Sequence, residues 1–143
     1  TANTHRHVTT HQQIYVNLPC KDLGRSKAFF AALGYAFNPQ FTNDQGAGLI
    51  LGENLYAMLL AEDFAKTFTN KPLVDARATT EMWVCLSCDS REQVDALVAK
   101  AQAAGGRVPS APQDHGFMYG HGFEDLDGHH WELVYMSGSP PQA

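Results

Sequence analysis

Apolar and polar residues alternate along His130–Tyr135, which places His130, Glu132 and Val134 on one face of a strand and Trp131, Leu133 and Tyr135 on the other. The run before it, Gly116–Glu124, is just as rich in aromatic side chains. Between the two, Asp127-Gly128 supplies a residue that tolerates unusual backbone angles and then one that takes positive φ without a Cβ clash. The pattern predicts a hairpin closing the chain.

Upstream, Ile14-Tyr15-Val16-Asn17-Leu18 also alternates as a strand and ends at Pro19. Asp22 is placed to cap a helix that runs through Ser26, Phe29, Phe30 and Leu33 and stops at Gly34. Three short strands are expected at 35–41, 47–52 and 55–61, then a short helix over 62–68. Asn70–Thr80 has no periodicity and reads as a long loop. The order then repeats. A strand over 81–88 precedes the capping box Ser90-Arg91-Glu92-Gln93, and Val94, Leu97, Val98, Ala101 and Ala104 recur at helical spacing up to Gly105-Gly106. Arg107–Gln113 reads as an edge strand because of Pro109 and Pro112. Each half is thus strand, helix, three strands. The fold class is α+β in one domain: module one spans about 13–68, the loop 69–80, and module two 81–137. Two such modules side by side would join curved sheets around a cleft.

Charge narrows the partners. With 143 residues, 17% charged and a formal charge of −5, the chain has no basic stripe for nucleic acid or anionic membrane. No apolar run approaches the ~20 residues that span a bilayer, and a soluble, cytoplasmic protein is expected. Cys20, Cys85 and Cys88 give no disulfide framework. The C-x-x-C pair lies on a predicted strand, where residues three apart face opposite ways, so the cysteines read as small, mostly buried hydrophobes. Thr1–Gln13, with His5, His7 and His11, reads as a frayed polar arm. Glu132 is the residue that asks for chemistry, since a carboxylate in an apolar strand must be paired, hydrogen-bonded, metal-bound or protonated.

Asp22-Leu23-x-x-Ser26-x-x-Phe29-Phe30-x-x-Leu33-Gly34 in module one and Phe123-Glu124-Asp125-Leu126-Asp127-Gly128-His129-x-Trp131-Glu132 in module two resemble the vicinal oxygen chelate superfamily of glyoxalase I, bleomycin and fosfomycin resistance proteins and extradiol dioxygenases. Within it, the chain is most similar to small bacterial proteins described as predicted lactoylglutathione lyases. The resemblance covers about residues 13–137. It implies paired βαβββ modules forming a cupped sheet around a cavity, in a homodimer. In metal-dependent members it also implies a divalent ion held from the first and last strands of each module. Those ligand positions fall here on Tyr15, on Met58 or Leu60, on Trp83 and on Glu132, so one carboxylate remains of the set.

Without that ion, the expected cavity is lined by Tyr15, Asn17, Met58, Trp83, His121 and His130, with Glu132 as its ionisable group, and suits a flat or partly apolar organic ligand. Phe117, Tyr119, His121 and Phe123 share strand parity, a stripe that also reads as packing. Three activities follow: a small-molecule binding protein with no metal and no cofactor; a glyoxalase-like lyase or isomerase with Glu132 as general base beside His121 or His130; and a metal-dependent lyase or dioxygenase with a site rebuilt from His115, His121, His130 and Glu132.

Overall fold

The computed structural model describes residues 8–138. His5 and His7 of the expected frayed arm lie outside the described residues, and His11 is exposed in a stretch without helix or strand.

Module one runs β1 (Ile14–Cys20), α1 (Leu23–Ala32), β2 (Ala36–Asn38), β3 (Gly46–Gly52) and β4 (Leu55–Ala61); α2 (Glu62–Ala65) follows. Module two runs β5 (Trp83–Ser87), α3 (Arg91–Ala103), β6 (Gln113–Asp114), β7 (Met118–Glu124) and β8 (His130–Met136). The two sheets have the same topology, β1-β4-β3-β2 and β5-β8-β7-β6, each with a parallel pair at one edge, β1–β4 or β5–β8, and antiparallel pairs across the rest. Capping follows the residues expected to supply it. The Asp22 carboxylate accepts from Arg25 N–H and the Ser90 hydroxyl from Gln93 N–H, and Gly34 ends α1 at φ +102°.

Two predicted strands are shorter than expected. Over 35–41 only Ala36–Asn38 pairs, because Asn38 caps a 3-10 turn, Pro39–Phe41, that begins on a proline. Over 107–113 only Gln113 joins a strand, with Arg107 making an isolated bridge to Glu124; the prolines between them have no N–H to give a ladder.

One core serves both modules. Leu18, Cys20, Leu49, Ala57 and Leu59 from the first sheet meet Phe123, Trp131 and Leu133 from the second across α1 and α3. Phe29 of α1 lies against Phe123, ring centroids 6.0 Å apart, and Phe30 against Trp131 at 5.2 Å. The helix-facing sides of both sheets are therefore buried together, and the opposite sides are left open. No helix among the described residues is long and apolar enough to cross a membrane.

Candidate functional site

Register settles which side chains share the open faces. In the first sheet Tyr15 pairs with Tyr56 and Asn17 with Met58, so all four lie on one face. The Tyr15 and Tyr56 rings stack at 5.2 Å, the Tyr15 hydroxyl donates to Gln13, and Asn17 Nδ2 donates to the Tyr15 carbonyl at 3.1 Å. In the second sheet Trp83 pairs with His130 and Cys85 with Glu132. The Trp83 indole is 56% exposed and lies 5.9 Å from the His130 ring. His130 Nε2 lies 3.2 Å from Glu132 Oε1, and both side chains are about one-third exposed. Burial, and after it the Glu132 charge, pushes the Cys85 thiol up. Cys85 is exposed on this face, contrary to the expectation that it would be buried.

Glu132 and His130 have room because Gly122 stands opposite Glu132 in β7. A Cβ there would lie 2.6 Å from Glu132 Oε2 and 3.0 Å from His130 Nε2. Gly48 holds the equivalent place opposite Met58, where a Cβ would meet Phe41 at 2.9 Å. The two modules thus repeat a glycine beside the last-strand site residue.

His121 lies elsewhere. It pairs with Leu133, on the helix-facing side, and its Nε2 donates to the Ser110 carbonyl at 3.0 Å. The parity it shares with the buried Phe123 decides its direction, so of the two histidines expected beside Glu132 it is His130 that reaches it. His121 and Glu132 only border one cleft of about 220 Å³ at the β7 edge. His115 is likewise apart, 3.4 Å from Gln113 Oε1. Among the described residues no aromatic contact, ion pair or hydrogen bond joins Tyr15, Asn17 or Met58 to Trp83 or Glu132. Asn17 and His130 meet as walls of a cleft of about 120 Å³. In one chain the two aromatic faces therefore meet at that cleft.

The most closed cluster of potential ligands is in the turn between β7 and β8. Asp125, Asp127 and His129 have ligand atoms within 4.8 Å of one another, the one such group of three among the described residues. All are engaged. Asp125 accepts from Trp131 Nε1 and from the Asp127 and His129 amides, each at 3.0 Å. Asp127 accepts from Lys21 N–H at 2.9 Å and from the Ser26 hydroxyl at 3.2 Å, while His129 Nε2 donates to the Pro19 carbonyl at 2.6 Å. This turn is the joint between the modules. A cavity of about 470 Å³ beside it is faced by Lys21, Arg25, Arg77 and Arg107 and by Asp22, Glu124, Asp125 and Asp127, whose charges offset each other.

The paired βαβββ chain meets its counterpart in a family model: residues 12–133 match the Glyoxalase/Bleomycin resistance protein/Dioxygenase superfamily. The chain belongs to that superfamily. The glyoxalase superfamily fold is shared with hypothetical protein SA1046 from S. aureus, at 29% identity and TM-score 0.76 over 89% of this chain and 95% of that one. It is shared with a glyoxalase-related enzyme from Fulvimarina pelagi, at 20% identity and TM-score 0.75 over 93% and 94% of the two chains. A glyoxalase/bleomycin resistance protein/dioxygenase from Nocardioides is similar at 21% identity and TM-score 0.72 over 98% and 94%. No curated protein matches the chain in sequence.

Metal-dependent superfamily members would draw ligands from Tyr15, Met58, Trp83 and Glu132. These positions offer a phenol engaged with Gln13, a thioether, an indole without a free lone pair and one carboxylate. A divalent ion generally needs three or four hard or thiolate donors, so this donor set does not fit one. Nor does a third His, Cys, Asp or Glu among the described residues close on the His130–Glu132 pair.

Two members of the open faces, Tyr56 and Cys85, are absent from the sequence-derived site. Parity would have found them, since Tyr56 lies two residues before Met58 and Cys85 two after Trp83.

Proposed function

We propose that this superfamily member binds a small organic molecule on the open sheet face around Trp83, His130 and Glu132, without a resident metal, and that a second copy of the chain closes the cup. The observation that carries the reading is an exposed indole beside a carboxylate–imidazole pair, on a face that Gly122 keeps clear. Aromatic walls with few polar groups suit an organic ligand oriented by one or two contacts. Tyr15, Trp83, Met136 and Phe41 are each close to half exposed or more, a large apolar display for a monomer. A duplicated fold can cover such faces by two-fold pairing.

Trp83 is exposed and the other tryptophan, Trp131, is 1% exposed, so emission changes on ligand addition report the open face. A screen of small aromatic compounds should yield saturable changes in the wild type that W83F lacks. If no compound perturbs Trp83, the reading fails.

The His130–Glu132 contact also favours a second reading, in which Glu132 abstracts a proton next to a carbonyl in a lyase or isomerase. The enolate would need a stabiliser such as the Tyr15 hydroxyl or a protonated histidine, and the Tyr15 hydroxyl donates to Gln13. Deuterium exchange next to the carbonyl of a bound compound, lost in E132Q, would separate catalysis from binding alone.

A further inference from the structure

None of the eight strands contains a lysine or an arginine. Their carboxylates are three: Asp114, Glu124 and Glu132. Asp114 is held by Arg91 at 2.6 Å and Glu124 by Arg107 at 3.3 Å. Glu132 has only the His130 imidazole, and no guanidinium or ammonium group pairs with it among the described residues. It is the strand carboxylate without a permanent countercharge, and it opens onto the face that carries the Trp83 indole.

These features select for ligand charge. The face of an indole attracts cations through its quadrupole. A partly buried carboxylate adds Coulomb attraction that water screens only in part. An anion meets repulsion from Glu132 and finds no lysine or arginine in the strands to offset it; Arg91 and Arg107, which reach strand residues from outside, are each held by a carboxylate. Gly122, with no side chain, leaves the Glu132 carboxylate approachable.

We infer that the molecule bound here is an organic cation, an aryl or alkyl ammonium whose charged head sits between the Trp83 indole and the Glu132 carboxylate. The inference rests on the binding reading above and adds the charge class of the ligand.

The test uses the full chain and three probes of similar size: benzyltrimethylammonium, benzyl alcohol and phenylacetate, titrated against tryptophan emission and by calorimetry. Benzyltrimethylammonium should bind at least tenfold more tightly than either of the others. E132Q should weaken it at least tenfold and leave benzyl alcohol within twofold, which also shows that the variant is folded. Equal or tighter binding of phenylacetate or benzyl alcohol overturns the cation assignment and leaves the binding reading standing. An E132Q chain that keeps the wild-type circular dichroism and weakens all three probes alike also overturns it. If none of the probes perturbs Trp83, the cation assignment and the binding reading fall together. The wild-type series decides the matter even for an E132Q chain that does not fold.

Discussion

Asp125 is a carboxylate kept out of water for the sake of three donors: the Trp131 indole and the backbone amides of Asp127 and His129. Burial raises its pKa above the ordinary carboxylate value, against the pull of His129 and of those donors. A carboxyl raised in the folded state holds its proton more tightly there than in the unfolded chain. Its contribution to stability is therefore complete below the unfolded value and is lost as pH rises through the folded one. Asparagine at this position keeps one acceptor oxygen, for the Asp127 and His129 amides, and removes the titration. Urea midpoints of D125N should stay flat across the window in which the wild type loses stability. Parallel curves for the two proteins would mean that ionising Asp125 carries no cost in the fold. Glu132 contrasts with it in chemistry and exposure: one acid is fully used by the fold, the other is left with a histidine at an open face.

The β7–β8 turn joins its own hairpin to the other module, and Gly128 is where the packing is tightest. Its φ is +89°, and a Cβ would lie 2.7 Å from the Arg77 backbone nitrogen. Gly128→Ala should cost roughly 2–4 kcal/mol in urea denaturation, from left-handed strain and a clash with main chain. A midpoint equal to wild type would mean that the 69–82 segment does not pack on the turn. The turn itself was legible in Asp127-Gly128, as were both long helices, because caps and periodicity are local. The shared face of His130, Glu132 and Val134 was legible for the same reason. What Asp127 and His129 do was not legible: their partners are Lys21, Ser26 and Pro19, and no local pattern encodes a contact across that separation. The turn of the motif that resembles the superfamily most closely, Asp125 to His129, is thus a fastening, and Glu132 follows it onto the open face. His121 was misplaced because its residue type outweighed the parity it shares with Phe123.

Taken whole, the molecule packs the helix sides of two sheets into one core and turns two aromatic faces away from it. A strand pattern fixes which side chains share a face without fixing how two sheets are set against one another, so the meeting of Asn17 and His130 in one cleft was not legible. If a second copy closes the cup, light scattering after size exclusion at micromolar concentration should give twice the mass of the chain. A single-chain mass would leave the ligand held by one sheet face alone. The fastening between the modules also dictates an order of events in folding. Lys21, Ser26 and Pro19 lie 106, 101 and 110 residues before their partners in the turn. During synthesis the first module must therefore hold its apolar helix side unclaimed until nearly the whole chain has emerged. Loop closure over such separations is slow, so docking of the modules comes last and sets the rate at which the protein matures.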